Sequence, residues 1–151
     1  MSSYYTFNNG KLENQVILIE RTDPTMLING GVLSIAEVRF YLSDTLLSTS
    51  LFTFHGSNHD GYNRPWYAND RNLDSVYVNN YNGGNRQFLI ITTDLSTKFD
   101  KVVVNNRWDC CQDSLVNASI KVYNLSDNNQ VVIIIVYYKY STMLLIIIII
   151  F

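Results

Sequence analysis

Apolar and polar positions alternate with a period of two over several short stretches of this chain, the spacing of strands that bury one face. The clearest is Ser34–Leu42 (SIAEVRFYL), where Ala36, Val38, Phe40 and Leu42 fall on one side and Glu37, Arg39 and Tyr41 on the other. Leu46–Phe54 reads as a second strand, joined to the first through a tight Ser43-Asp44 connection. Gln15–Glu20, Ser75–Val78, Gln87–Thr93, Lys98–Asn105, Ser119–Tyr123 and Val131–Tyr138 read as further strands. Turn signals stand between them at Thr22-Asp23-Pro24, Asn29-Gly30-Gly31, Leu95–Thr97 and Ser126–Asn129. Roughly seven to nine short strands so spaced predict an all-β chain folded as a single antiparallel β-sandwich or jelly roll. The expected organisation is a polar N-terminal arm over 1–14, the sandwich over 15–140 and an apolar tail over 141–151.

Two segments break the pattern. Residues 55–86 hold both histidines, Pro65, four of the seven glycines and many Asn, so they read as functional loops around one short strand. The tail, Met143–Phe151 (MLLIIIIIF), is almost continuously apolar. Val131–Phe151 is 21 residues long, and as a helix it would reach about 30 Å and anchor the chain in a membrane. The breaks at Lys139, Ser141 and Thr142 favour two strands instead, the second pairing with a sheet edge of its own chain or of a neighbour. Assembly through Met143–Phe151 is then expected. A frameshifted end is a third account.

Composition sharpens the fold and narrows the function. Among 151 residues there are three Ala and three Glu against 13 Val, 15 Ile and 11 Tyr, which disfavours helices. Eleven Lys and Arg against 13 Asp and Glu leave a net charge of −2, with no basic excess for nucleic acid. The abundance of Asn, Ile, Tyr, Phe and Lys suggests an AT-rich genome. No apolar run of signal-peptide length opens the chain, so a cytoplasmic or virion location is expected rather than classical secretion. Neither a Ser/His/Asp spacing nor HExxH, a P-loop or GxGxxG is present, and a non-enzymatic role is expected.

The segment Lys101–Tyr123 (KVVVNNRWDCCQDSLVNASIKVY) resembles the signature of F-type lectins within the discoidin-like, galactose-binding-domain family, in which a strand ends in Asn-Arg-x-Asp-Cys-Cys. Ser34–Leu42 resembles the family's early strand, Ala68–Asp74 its A-x-D-G-N loop, and Gln87–Leu95 the strand that usually ends in D-L-G. The resemblance covers about residues 30–137 and implies a discoidin-like jelly roll that binds glycans. It implies a ligand site at Arg107 and Asp109, and a vicinal disulfide of Cys110 and Cys111 against the sugar's apolar face. It also implies Ca²⁺ at Asp70 and Asn72.

The residue chemistry fits that reading. Arg107 and Asp109 lie two apart, so at a strand end they share a face. A guanidinium presents a planar fork of donors to neighbouring hydroxyls, and a carboxylate holds the fork in place. Trp66, Tyr62 and Tyr67 offer rings for stacking on a sugar, and Arg86, His55 or His59 a different polar site. The departures are equally specific. Ser114 stands where the family carries a second cation, the window Tyr81–Asn85 has no His, and Arg71 replaces the glycine of the calcium loop. The alternative function is a structural or protein-binding jelly roll, for example on a large virus particle, that has lost the sugar.

Overall fold

The structure, a computed structural model, describes residues 15–21, 32–57, 62–79, 87–94, 97–107, 109, 114–115, 118–124, 130–134 and 144–147. Among them are ten strands: β1 Gln15–Arg21, β2 Ser34–Leu42, β3 Thr45–Leu46, β4 Phe52–Gly56, β5 Tyr77–Val78, β6 Gln87–Thr93, β7 Lys101–Asn106, β8 Ala118–Asn124, β9 Gln130–Ile134 and β10 Leu144–Ile147. They form two sheets of five. The first runs β4-β6-β1-β8-β9; the second runs β10-β7-β2-β3, with β5 also on β2. Every pairing is antiparallel. The chain is an all-β sandwich, as the alternation predicts.

The buried faces of the sheets meet in one core. Ile17, Ile19, Leu89, Ile91, Ile120 and Val122 come from the first sheet, and Ile35, Val38, Phe40, Val102 and Val104 from the second. The closest ring pair among the described residues crosses between the sheets. Phe40 of β2 stacks on Phe52 of β4 with ring centroids 3.9 Å apart, and Phe99 meets Phe40 edge-on at 5.1 Å.

Two expectations needed revision. First, β2 does not alternate throughout. Ile35 pairs with Asn106 and Glu37 with Asn105, so one extra residue lies on β2 at this step. This β-bulge resets the period: Leu33 and Ile35 point into the core before it, Val38 and Phe40 after it. Leu42 is 40% exposed, and Glu37, expected on a solvent face, is fully buried.

Second, Leu46–Phe54 is not one strand. The Ser43-Asp44 turn has both residues in the left-handed region (φ 48° and 63°), as a two-residue hairpin requires, but β3 ends after two residues. A 3₁₀ turn, Thr49–Leu51, follows; the Ser48 hydroxyl accepts from the Ser50 amide and caps it. The chain thereby crosses from the second sheet to β4 of the first.

The apolar C-terminal segment forms two strands, the reading favoured by its breaks: β9 pairs with β8, and β10 with β7 through Leu144–Ile147 opposite Val102–Asn105. No helix among the described residues is long and apolar enough to cross a membrane. The polar arm over 1–14, the Asn29-Gly30-Gly31 turn and the Ser126–Asn129 turn lie outside the described residues.

Two outcomes follow from this packing. Phe40→Ala should cost about 3–5 kcal/mol, because it empties an aromatic contact spanning both sheets; urea unfolding measures it. Deleting 142–151 removes β10 and uncovers the edge of β7, so self-association should rise in sedimentation velocity while circular dichroism still reports β structure.

Candidate functional site

One end of the sandwich gathers the start of β2, the ends of β4 and β7, the start of β6, and β5. Its framework is polar and buried. The Tyr77 hydroxyl lies 2.9 Å from the Phe88 carbonyl oxygen and 3.1 Å from that of Ser57, so β5 of the second sheet is tied to the first. Burial raises the Tyr77 pKa to about 12. Gly56 makes room for this ring: a Cβ there would stand 2.5 Å from the hydroxyl. Asn79 fixes the entry to β2, its Oδ1 accepting from the Leu33 amide at 2.7 Å.

Arg107 follows β7 directly. Its amide donates to Asn106 Oδ1 at 2.8 Å. The side chain forms the two-point pair that the spacing predicts, with Nε 2.5 Å from Asp109 Oδ1 and Nη2 2.8 Å from Oδ2. The side chains are 24% and 46% exposed, so the pair adds below about 1 kcal/mol to stability; its consequence is a guanidinium plane of fixed orientation at the surface.

Ser114 plays a part that the sequence did not suggest. It is buried, and its hydroxyl lies 2.9 Å from both the Ser34 carbonyl oxygen and Asn106 Oδ1. The position compared above with a ligand-contacting cation thus braces the turn that carries Arg107. A Ser eight residues after an Asn gives no periodic signal of such a contact. Cys110, Cys111, Arg86 and His59 lie outside the described residues.

The aromatic loop stands at the same end, since the Val78 amide donates to the Asn63 carbonyl at 3.3 Å and Val78 pairs with Ser34. Tyr62 is 84% and Trp66 50% exposed. Arg64 Cζ lies 5.0 Å from the centre of the Trp66 ring, and Tyr67 meets that ring edge-on.

Asp70 and Asn72 are brought together, but by hydrogen bonds of their own loop. Asp70 Oδ1 accepts from the Asn72 amide at 2.9 Å and Oδ2 from the Ser75 hydroxyl at 2.6 Å; Asn72 Oδ1 accepts from the Asp74 amide at 3.1 Å. Arg71 adopts a left-handed φ of 65°, the conformation glycine takes freely. Each of these Asp70 and Asn72 oxygens accepts a single hydrogen bond, and no group of three or more His, Cys, Asp or Glu that could hold a metal occurs among the described residues.

Beside this loop lies a covered carboxyl. Glu37 is fully buried; the backbone of Arg71 faces its carboxyl, and no side chain among the described residues bonds to it. Burial pushes its pKa up from 4.5 to about 7; Arg39 opposes the rise, and Asp70 adds to it. Glu37, Arg39, Asn69 and Arg71 line a small cleft closed by Leu47 and Phe52, with room for about one water molecule.

No family model, curated protein or solved structure matches this chain. The fold class and the geometry of this end are therefore what bear on function.

Ser114→Ala should lower stability by about 1–2 kcal/mol in urea unfolding, since buried acceptors on Ser34 and Asn106 lose their shared donor.

Proposed function

We propose that the chain is a non-enzymatic recognition module that binds a glycan at the loop end of the sandwich. The observation that carries this reading is the two-point Arg107–Asp109 pair at the end of β7. A guanidinium whose plane is held by a carboxylate binds neighbouring sugar hydroxyls without first losing its own freedom. Trp66, half-exposed at the same end, is a surface on which a sugar ring stacks. The resemblance of Lys101–Tyr123 to F-type lectins supports the same place and the same ligand class, and puts Cys110 and Cys111 beside it.

One observation favours a second reading, a structural or protein-binding jelly roll. The second sheet ends at β10, whose Leu-Leu-Ile-Ile sequence suits pairing or packing with another protein.

A glycan array with the full chain tests both. Under the first reading, Arg107→Ala abolishes binding and Asp109→Asn weakens it by at least tenfold, because a charged hydrogen bond contributes about 1.5–3 kcal/mol. A reducing agent weakens it too, acting through Cys110 and Cys111. Binding that survives Arg107→Ala moves the site towards Trp66. A blank array, with a chain that purifies only in an assembly, favours the second reading.

A further inference from the structure

We propose that Glu37 is a proton-operated latch: protonated, its carboxyl lets the segment 69–75 seat against β2; ionised, it drives that segment off, and the neighbouring aromatic loop with it. Glu37 follows the bulge at Ile35/Glu37 and lies on the face of β2 opposite Val38 and Phe40, yet it is fully buried. On the side of β2 away from β7, β5 pairs with Ser34 and Ile35, and β3 with Tyr41 and Leu42. The stretch between them has no strand partner there among the described residues. The 3₁₀ turn Pro65–Asn69 packs on β2, and Arg71 closes the cleft that Glu37 lines.

The cover is held by local bonds. Asn69 Nδ2 donates to the Thr49 carbonyl at 3.1 Å, and the Asp70–Asn72–Ser75 hydrogen bonds close the loop upon itself. Both Glu37 oxygens are buried; no side chain of the cover bonds to them, and of its backbone only that of Arg71 faces the carboxyl. A neutral carboxyl tolerates such a site; a carboxylate needs water or a cation.

The charges that face Glu37 are Arg39 on its own strand, and Asp70 and Arg71 on the covering loop. The wall from Leu46 to Phe52 contributes no ionisable side chain to the cleft. Arg39 and Arg71 are therefore the cations available to a newly formed carboxylate, and Asp70 opposes its formation. The cleft has room for about one water molecule, so fuller hydration of the carboxylate requires the loop to shift.

The sign is fixed. Glu37 holds its proton up to about pH 7 in the fold and only to about 4.5 otherwise. Its ionisation therefore destabilises the seated state progressively as pH rises from the ordinary carboxyl range through 7, and no further above that. The exposed ring of Trp66 rides on the turn that abuts the latch, so its presentation at the surface becomes pH-dependent. The latch is independent of the glycan reading, because its readout is the loop itself.

The test is a pH titration of the full chain by ¹⁵N–¹H correlation spectra from pH 5 to 8.5. The amides of 69–75 should shift together with a midpoint near 7, and Glu37→Gln should hold them at their low-pH positions throughout. A variant with His55→Gln and His59→Gln should keep the titration, which separates it from imidazole. Asp70→Asn should move the midpoint down, because a charge opposing ionisation is gone; this variant serves if Glu37→Gln folds poorly. Titration of 69–75 that persists in Glu37→Gln, that disappears with the histidines, or that is unmoved in Asp70→Asn overturns the latch.

Discussion

The single extra residue on β2 between Ile35 and Glu37 is the constraint on which the second sheet depends. A strand of strict period two cannot place Ile35 and Val38 on the same side, yet both are fully buried in the core. The bulge reconciles them. It lets the first half of β2 meet β5 and the loop end, while the second half carries Phe40 to the stack with Phe52 that joins the sheets. The cost is local: the register with β7 skips a step.

Much of the fold was legible because burial imposes a period. Gln87–Thr93 is a short apolar, β-branched run rather than an alternating one; its burial alternates all the same, Gln87, Leu89 and Ile91 being the buried residues. Ser34–Leu42 was found with both boundaries correct, but its facing was not, since a bulge adds a residue without changing composition. The Leu46–Phe54 stretch misled for a related reason. Ser48 and Ser50 bond to their own backbone and to each other, a competition that alternation cannot register. At the candidate site, the Arg107–Asp109 pair was readable because it depends on spacing alone. Ser114 and Asn106 depend on how strand ends meet, which is a property of the tertiary fold.

The loop end combines two kinds of surface. Beneath it lies a frame of short polar contacts: Tyr77 to the Phe88 carbonyl, Asn79 to the Leu33 amide, and Ser114 to Asn106 and Ser34. Above it stand exposed aromatic side chains, Tyr62 and Trp66 among them. A recognition surface benefits from both, because rigid backbone lowers the entropy lost on binding and exposed rings supply the contact area.

The sheet order also bears on how a ribosome can deliver this molecule. β1 emerges first but sits between β6 and β8, so it has no neighbour in its sheet until some seventy to a hundred residues more have been made. β7 and β8 in turn keep one edge bare until β9 and β10 leave the exit tunnel. A nascent chain of this design carries Ile- and Val-rich strands without partners for most of its synthesis, the situation in which holding chaperones compete with misassembly between neighbouring nascent chains. Slowing translation near residue 125 would lengthen that exposed interval, and speeding the final stretch would shorten it.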